Sequence, residues 1–524
     1  MAQNPIIPGF APDPSIVRIG GDFFLVTSSF HLFPGLPIYT STDLVSWTHI
    51  GNAINSPTQL SLAPSSTLIH NLSGTQEEIL VGTGGLYAPT IRHHNGRTYI
   101  VSTNVRHLHY EDKDKNSKPP GVAFDNFLIY TDDIWSDKWS DPISFEFHGI
   151  DPDLFIDDDG RVYISGSSWN TTPSTINCVE IDLETGQKLS PERVIWEGFM
   201  KVVPEGPHIY KCRNWYYLLA AEGGTHEDHQ LSIARSKIIW GPYESCPSNP
   251  ILPPATARNG YQNVQYNGHG DLFQDGKGNW WLVFLAVRKD PEGRCVMGRE
   301  TFICPVQWPD DEWPVIMHPL PLGVASEDMK MMGSISTLLT VNQRVGLVWI
   351  RDPDFGTYDV SDDASMINMV ASTRDLDDRV GPHSFVGRRQ RALDGQASVT
   401  LLANQGHVLQ NQGLRAGLAY YKDEHRFARI EYDYDAAVVT FEMKNAGRNP
   451  AIHLTLDNVS QSCFQGLDIQ FRIEYTEQVL RFGYRAGRIA ESGWVPVGTV
   501  DTLDLTDRDF TGPCIGVFAL DSSQ

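Results

Sequence analysis

The chain has 524 residues and a formal net charge of −23 at pH 7, with 20% charged and 41% hydrophobic residues. So acidic a chain offers no basic face for nucleic acid or for an anionic membrane surface. It also contains no run of about 18 apolar residues, which is the length that could span a membrane. Its length predicts two or three domains, and 13 Trp, 19 Tyr and 23 Phe residues favour β-structure and stacking surfaces. We therefore expect a protein that acts on a neutral ligand.

The N-terminus bears on localisation. Met1-Ala2-Gln3 lacks the basic start and the apolar core of a signal peptide. We expect a secreted protein whose signal peptide is absent from this sequence, and the alternative is a cytoplasmic protein.

One phrase recurs five times between residue 4 and about residue 325. Its clearest copy opens at Asp151 and continues with an apolar run at 154–156, a turn at 157–160 and a second apolar run at 162–164. β-prone runs on both sides of Asp and Gly residues are typical of a β-hairpin. The other copies open at Asp13, Ala88, Glu205 and His269. A hairpin unit that repeats at roughly 50 residues or more predicts a β-propeller, here with five blades.

The opening positions of the five copies are candidates for a functional site. In a propeller, equivalent residues at the start of each innermost strand converge on the central axis. Asp before a strand is also ordinary turn chemistry, which is the simplest alternative. Four titratable residues at one repeat position favour a site instead, and they are Asp13, Asp151, Glu205 and His269.

The last third of the chain has a different pattern. A probable linker, His318-Pro-Leu-Pro-Leu-Gly323, is followed from about residue 335 by closely spaced strand-like segments without the repeated phrase. This spacing predicts a β-sandwich. The predicted fold is therefore all-β, with a five-bladed β-propeller over residues 1–325 and a jelly-roll-like C-terminal β-sandwich over residues 326–524.

Carboxylates around a neutral, hydroxyl-rich ligand are what glycoside hydrolysis requires. One must be protonated to act as the general acid, and another must be ionised to activate water or attack carbon. Glu205 is the natural acid, because it has the longest side chain and follows the apolar Val202-Val203. Asp13 and Asp151 would divide the base and tuning roles, and repeat symmetry leaves their order open. The same four side chains could also bind Ca²⁺ or a transition metal.

Over nearly its whole length the chain resembles glycoside hydrolase family 43, of the two-domain type shared by β-xylosidases and α-L-arabinofuranosidases. Several motifs in the right order carry this resemblance. In chain order they lie at Asn4–Ile16, Ile150–Phe155, Glu205–Tyr210, Ala221–Thr225, Ile233–Ser236, Gly241–Tyr243, Gly268–Gly270 and Gly298–Thr301.

The resemblance implies hydrolysis with inversion in a single displacement. By motif position, Asp13 is the general base, Glu205 is the general acid, and Asp151 tunes and orients the acid. His269 lies on the axis beside a water or a structural calcium, and Arg299 binds sugar hydroxyls. No cofactor is required for the chemistry.

Two aromatic pocket positions and one further arginine complete the predicted site. Phe30 matches the family's pocket Phe, although core packing explains a Phe equally well. Tyr87 stands where the β-xylosidase branch has a Trp. Arg288 is a weaker candidate for substrate binding.

A second departure concerns the rim of the pocket. The xylosidase pattern has Phe-Thr-Gly followed by Ala and a Phe that closes the pocket, whereas this chain has Phe510-Thr-Gly-Pro-Cys514. We expect a more open rim, and therefore an α-L-arabinofuranosidase that removes arabinose side chains from arabinoxylan. The alternative is a β-xylosidase acting on xylo-oligosaccharides. A non-catalytic carbohydrate-binding propeller is a third possibility, and the three carboxylates count against it.

Overall fold

The structure, a computed structural model, describes residues 4–71, 79–108, 121–254, 263–317, 339–341, 344–402, 413–447, 452–458, 467–486 and 493–523. Within these ranges there are 38 β-strands, short 3-10 helices at Phe355–Thr357 and Thr502–Leu505, and no α-helix. No helix among the described residues is long and apolar enough to cross a membrane. The all-β prediction is confirmed.

The N-terminal domain contains the first 23 strands. They are β1 (Ser15–Ile19), β2 (Asp22–Val26), β3 (Leu32–Phe33), β4 (Gly35–Ser41), β5 (Trp47–Ile54), β6 (Thr67–Asn71), β7 (Ile79–Thr83), β8 (Gly85–His94), β9 (Arg97–Leu108), β10 (Gly121–Thr131), β11 (Ile143–Ser144), β12 (Gly149–Ile156), β13 (Val162–Ser168), β14 (Thr175–Ile181), β15 (Arg193–Trp196), β16 (Glu205–Cys212), β17 (Trp215–Glu222), β18 (Gln230–Ser236), β19 (Glu244–Ser245), β20 (Val264–Gln274), β21 (Trp280–Arg288), β22 (Arg299–Gln307) and β23 (Val315–Ile316).

Twenty of these strands form the five four-stranded antiparallel blades of a propeller, and the first sheet gains a fifth, parallel strand at Leu339–Val341. In chain order the blades are β1-β2-β4-β5, β8-β9-β10-β11, β12-β13-β14-β15, β16-β17-β18-β19 and β20-β21-β22-β23. The first strand of each blade is the innermost, and these five strands contact one another in a ring from β1 to β8, β12, β16, β20 and back to β1. The five-bladed prediction is confirmed.

The repeated phrase forms blades because its polar turns alternate with apolar strand faces. At the turn between β12 and β13, Gly160 has a φ of 83°, which the tight connection requires. The strand faces pack between neighbouring blades. One such core contains Leu219, Leu231, Leu282 and Phe302, all of which are fully buried.

The N-terminal segment closes the propeller against its last blade. The backbone N–H groups of Ile6 and Ile7 donate to Thr301 O, at 2.9 and 3.3 Å. The side chain of Asn4 donates to Ile303 O at 2.9 Å and accepts from Ile303 N at 2.8 Å. Ala11 N donates to Arg299 O at 2.9 Å, so the closure ends just before Asp13.

The C-terminal domain contains the remaining strands. They are β24 (Leu339–Val341), β25 (Trp349–Ile350), β26 (Tyr358–Val360), β27 (Ile367–Met369), β28 (Phe385–Arg389), β29 (Gly395–Leu401), β30 (Leu414–Asp423), β31 (Arg426–Asp433), β32 (Val438–Asn445), β33 (Ile452–Asn458), β34 (Ile469–Tyr475), β35 (Val479–Ala486), β36 (Val495–Asp501), β37 (Arg508–Asp509) and β38 (Cys514–Asp521).

Two of its sheets make the β-sandwich. One has six strands in the order β28-β38-β30-β31-β32-β33, and the other has four in the order β29-β34-β35-β36. Side chains from both sheets, including Ile430, Phe441, Phe471 and Phe482, share one buried core. The sandwich prediction is confirmed, while the predicted boundary at 325/326 falls outside the described residues and stays a prediction.

The two domains meet through hydrogen-bonded strands and buried charge. Strand β24 pairs with β5, β25 pairs with β3, and β37 pairs with β7. Arg351 and Glu424 form a fully buried ion pair at 3.0 Å. Glu424 also accepts from Thr67 N of the propeller at 2.6 Å, which ties the tip of the β30–β31 hairpin to the catalytic domain.

Candidate active site

The start of every innermost strand has the same unusual backbone conformation. At this position each blade has one residue with backbone angles in the left-handed region. In four blades, the pairing of the first two strands shifts register beside that residue. The five residues and their φ angles are Asp13 (53°), Ala88 (32°), Asp151 (58°), Gly206 (54°) and His269 (40°). Non-Gly residues with such angles are uncommon and cluster at functional sites. The repeat therefore brings these positions together around the propeller axis.

Glu205 is not a member of this ring, which corrects the predicted register of the fourth repeat. The equivalent residue is Gly206, and Glu205 precedes it by one position. By strand register, Glu205 corresponds to Tyr87 of the second blade and Ile150 of the third. The prolines could have shown this, because Pro14, Pro89, Pro152 and Pro207 each follow the ring residue directly.

The three predicted carboxylates are buried, at 6%, 6% and 8% exposure for Asp13, Asp151 and Glu205. Ser28 Oγ donates to Asp13 Oδ2 at 2.5 Å and accepts from Ala88 N at 2.7 Å, so it links the first two blades. Gly206 N donates to Asp151 Oδ2 at 3.0 Å, so Asp151 holds the backbone beside Glu205. Ser28 was missed in the sequence because an isolated serine carries no pattern.

Burial shapes the protonation of this cluster. It raises the pKa of Glu205 to about 7, although Arg299 opposes the rise and Asp13 adds to it. Burial, Glu205 and Asp13 together raise the pKa of Asp151 well above its usual range. Because close carboxyl groups repel one another when both are ionised, they lose their protons in successive steps. The arrangement favours one protonated carboxyl at neutral pH.

His269 lies between two of the carboxylates. Its Nδ1 is 4.0 Å from Asp13 Oδ1 and 3.9 Å from Asp151 Oδ2. Burial lowers the pKa of His269 to about 4, so the ring is neutral near pH 7. Ca²⁺ prefers six to eight oxygen ligands, and the described residues contain no group of three or more His, Cys, Asp or Glu side chains arranged to hold a metal. These residues do not fit a calcium ion bound directly by protein side chains, and the calcium at His269 stays a prediction.

An aromatic cluster lies beside the ring. Phe30 is 1% exposed, and its ring centroid is 4.8 Å from that of Tyr87 in an edge-to-face contact. The hydroxyl of Tyr87 donates to Thr83 O at 2.7 Å. Phe30 also stacks on Phe10 at 5.9 Å. Phe30 and Tyr87 therefore lie together as predicted, with Phe30 packed into the protein core.

An aromatic residue of the sandwich reaches this cluster, although it is not at the position of the missing closing Phe, and the more open rim stays a prediction. The ring of Phe510 lies 5.9 Å from Phe30 and 6.1 Å from Tyr87. The following loop approaches the propeller backbone closely, since a Cβ atom on Gly298 would lie 2.7 Å from Gly512 Cα. Cys514, at the position where the xylosidase pattern has its closing Phe, is instead buried in β38.

The two predicted arginines have different environments. Arg299 is 5% exposed, donates to Thr225 O at 3.0 Å and lies 4.7 Å above the ring of Phe510. Its charge also acts on Glu205 and Asp151. Arg288 instead donates twice to Glu300, at 2.7 and 2.8 Å. The structure therefore brings Arg299 to the carboxylates and gives Arg288 no hydrogen bond to them within the described residues.

A second polar ring below the first was missed in the sequence. It lies two residues beyond each left-handed position, and its members are Ser15, Thr90, Asp153, His208 and Asp271. Arg92 joins it, with NH2 at 2.9 Å from Asp153 and NH1 at 2.9 Å from Asp271. The recurrence of polar residues within otherwise apolar strands was the available signal.

Comparison with known proteins agrees with this architecture. Residues 2–314 match the family model for glycosyl hydrolases family 43, and residues 342–524 match that of the beta xylosidase C-terminal Concanavalin A-like domain.

Three similar proteins illustrate the match. A non-reducing end alpha-L-arabinofuranosidase of Bacteroides ovatus is 31% identical over 542 residues, covering 100% of this chain and 92% of the relative. A xylosidase/arabinosidase of Butyrivibrio fibrisolvens is 40% identical over 327 residues, covering 60% of this chain and 56% of the relative. The crystal structure of a xylan beta-1,4-xylosidase from Bacillus halodurans superposes with a TM-score of 0.80 at 26% identity, covering 100% and 97% of the two chains. The chain belongs to glycoside hydrolase family 43 and carries the C-terminal domain found in the β-xylosidases of that family.

Proposed function

We propose that this glycoside hydrolase removes α-L-arabinofuranosyl side chains from arabinoxylan with inversion of the anomeric carbon. The observation that carries the proposal is the convergence of Asp13, Asp151 and Glu205 on one buried site in which burial raises the pKa of Glu205 to about 7. Such a site keeps one carboxylic acid protonated near neutral pH, beside the second carboxyl group that hydrolysis with inversion requires. A binding protein would not need a carboxyl group held in its protonated form.

Each carboxyl group has a distinct role in the proposed reaction. Glu205 donates its proton to the glycosidic oxygen as the bond to the sugar breaks. Asp13, oriented by the Ser28 hydroxyl, removes a proton from the water that attacks the anomeric carbon. Asp151 accepts the N–H of Gly206 and so orients the backbone that carries the acid. The water and the leaving group lie on opposite faces of the sugar, which produces inversion.

Arg299 and the aromatic cluster would hold the sugar. Arg299 is a fixed charge beside the carboxylates, and its remaining N–H groups suit hydroxyl acceptors. Tyr87 and Phe510 are partly buried and supply apolar surface for the face of a pentose ring, while Phe30 packs behind them. The chemistry requires no cofactor, and a secreted location belongs to the proposal because arabinoxylan is a polymer.

Arabinose is favoured over xylose by two observations. The Bacteroides ovatus relative, which aligns over the whole chain, is an α-L-arabinofuranosidase. Tyr87 also replaces the Trp of the β-xylosidase branch. The alternative, a β-xylosidase acting on xylo-oligosaccharides, is supported by Phe510, which narrows the site from the sandwich side, and by the likeness to the Bacillus halodurans xylosidase.

The substrate can be identified by chromatography of the products from wheat arabinoxylan, xylobiose and linear arabinan. Arabinose from arabinoxylan, without xylose from xylobiose, is the expected result. Xylose from xylobiose would establish the alternative. Proton NMR of the first product formed should show the β-anomer of arabinose, and an initial α-anomer would contradict inversion.

The catalytic assignment has its own test. Glu205→Ala should lower turnover of arabinoxylan at least about 100-fold, because general acid catalysis is worth that much for a poor leaving group. Sugar binding, measured by calorimetry with arabinose, should persist. Unchanged turnover in a folded Glu205→Ala variant would refute the assignment.

A further inference from the structure

His229 is a buried histidine on the loop between β17 and β18 of the fourth blade, and the mechanism above does not use it. It is 1% exposed. Its Nδ1 is 3.0 Å from the backbone carbonyl of Tyr266, and its Nε2 is 3.8 Å from Glu205 Oε1. Its position thus brings one edge of the imidazole ring to the general acid.

The Tyr266 carbonyl determines which ring nitrogen carries the hydrogen. A carbonyl oxygen can only accept, so Nδ1 of His229 is the donor and Nε2 presents a lone pair. Among the described residues, Nε2 of His229 has no hydrogen-bond partner. A buried ring nitrogen without a partner therefore faces the carboxyl group of Glu205.

The ring of His229 occupies space that the fifth blade leaves free. A Cβ atom on Gly268 would overlap this imidazole ring. By strand register, Gly268 is the fifth-blade equivalent of Glu205, whereas the second blade has Tyr87 there. Gly268 has no side chain, and the imidazole ring of His229 from the fourth blade occupies that space beside Glu205.

The surroundings keep this histidine neutral. Burial lowers the pKa of His229 to about 3, and the positive charge of Arg299 adds to the effect. The charged or titratable groups that face the His229–Glu205 pair from other elements are Asp13, Asp151, Arg299 and His269. A neutral Nε2 can accept a hydrogen bond from a protonated carboxyl, but it repels a carboxylate.

We propose that His229 is a positioning residue for the general acid, whose Nε2 accepts the O–H of protonated Glu205 between turnovers. A small rotation of the Glu205 side chain closes the 3.8 Å separation to hydrogen-bond distance. This contact holds the proton on Glu205 and aims the carboxyl before substrate binds. The glycosidic oxygen then replaces Nε2 as the acceptor. The inference rests on the proposed role of Glu205 as the acid.

The test is His229→Asn, because the shorter amide can still donate to the Tyr266 carbonyl but has no atom at the Nε2 position. The matched control is His226→Asn. His226 lies on the same loop, is 9% exposed and packs edge-to-face on Tyr266 at 5.2 Å, without a contact to Glu205. Both variants and the wild type are assayed on phenyl and 4-nitrophenyl α-L-arabinofuranosides, or on the β-D-xylopyranosides if the enzyme prefers xylose.

A comparison of two leaving groups distinguishes a loss of acid positioning from a general loss of activity. Nitrophenolate leaves without a proton, whereas phenolate requires one. We expect His229→Asn to lower kcat/KM about 10-fold or more for the phenyl glycoside and less than about 3-fold for the nitrophenyl glycoside. The basic limb of its pH profile should move about one unit lower, because Glu205 loses the lone pair that disfavours its carboxylate. His226→Asn should leave unchanged both the ratio of kcat/KM for the two glycosides and the basic limb of the pH profile.

Two further measurements complete the test. His229→Gln, whose amide oxygen can reach the Nε2 position, should recover part of the phenyl glycoside activity and guards against misfolding of the Asn variant. Equal losses on both glycosides with an unmoved pH limb would overturn the proposal. Glu205→Gln in the same assay must itself show the leaving-group dependence. If it does not, the proposed role of Glu205 fails, rather than that of His229 alone.

Discussion

Glu205, the proposed general acid, lies where its ionisation is opposed, and this environment would set the pH range of the proposed reaction. Burial is the largest influence on its pKa, Arg299 partly compensates for it, and Asp13 adds repulsion. The result is a carboxyl group that is protonated at a pH where an exposed glutamate would be ionised. Burial and the neighbouring carboxyl groups also raise the pKa of Asp151, so the cluster loses its protons in successive steps that belong to the group as a whole.

The pH dependence of catalysis follows from this state. The acid is active when protonated, so kcat/KM should be high below pH about 7 and fall about tenfold per unit above it. The measurement is initial rate on an aryl arabinofuranoside at low substrate concentration between pH 4 and pH 9. A kcat/KM that stays constant from pH 6 to pH 9 would contradict the assigned acid.

A neighbouring substitution provides the control for this profile. In Asp151→Asn, the amide oxygen can still accept from Gly206 N, but a carboxyl group whose ionisation competes with that of Glu205 is gone. The pKa of the acid should fall, and the basic limb should move about one unit lower. A limb that stays in place would mean that Asp151 orients the acid without tuning it.

At the scale of the strand, the left-handed residue at the start of each blade turns side chains toward the axis. The first, second, third and fifth blades have Asp13, Ala88, Asp151 and His269 at this position. The fourth blade has Gly206. A Cβ atom on Gly206 would lie 2.7 Å from His269 Nδ1. Glycine is therefore required at this position both for its φ of 54° and for the close approach of His269.

Gly206→Ala should for this reason damage activity more than stability. The left-handed conformation costs an alanine about 1–2 kcal/mol, and contact with His269 should displace the adjacent Glu205. We expect kcat/KM to fall about 10- to 100-fold, as a misplaced catalytic group does. Gly160→Ala is the control, since its φ is 83° with no atom within 4 Å of the added Cβ. Equal activity in the two variants would show that strain alone matters.

The second polar ring fastens neighbouring inner strands to one another below the carboxylates. Asp271 accepts from Ile16 N at 3.1 Å, Ser15 accepts from Ile91 N at 3.1 Å, and Asp153 accepts from Ile209 N at 2.8 Å. Each of these bonds joins adjacent blades at the axis. This ring therefore supports the geometry of the active site without touching substrate.

Removal of the positive charge of Arg92 should lower the free energy of unfolding. Arg92 lies between Asp153 and Asp271, which are 0% and 1% exposed. Arg92→Met leaves two buried carboxylates without the cation between them and should cost about 3–5 kcal/mol of unfolding free energy, measured by urea denaturation. The control is Arg97→Met, whose partner Asp132 is 76% exposed, and it should be nearly neutral. A small effect at Arg92 would mean that water replaces the cation.

The local features of the fold could be predicted from the sequence, and the long-range ones could not. Hairpin turns and alternating strands are encoded by nearby residues, so the five blades and the sandwich could be predicted. Asp13 and Asp151 were predicted as site residues because both open a copy of the repeated phrase. The one-residue error at Glu205 arose because a β-bulge changes register without changing the hydrophobic pattern. The contacts of His229 and Phe510 join residues far apart in the chain, and no periodic pattern encodes such contacts.

At the scale of the whole molecule, the sandwich reaches the candidate active site. The buried pair of Arg351 and Glu424 anchors one side of the domain junction. Phe510 enters from the other side, where Arg299 lies 4.7 Å above its ring. The side chain of Phe510 is only partly buried and packs against Phe30 and Tyr87. The second domain should therefore affect substrate binding more than folding.

Phe510→Ala tests this relation. Loss of the ring should expose Arg299 and the Phe30–Tyr87 pair to water, and we expect KM for a short arabinoside to rise about 10-fold with a smaller change in kcat, since apolar contact surface for the bound sugar is lost. The control is Phe355→Ala, because Phe355 also lies at the domain junction and contacts Phe33 at 5.6 Å, away from the carboxylates. Phe355→Ala should leave KM unchanged. If both variants raise KM equally, the junction acts through domain orientation, and Phe510 has no direct part in the sugar site.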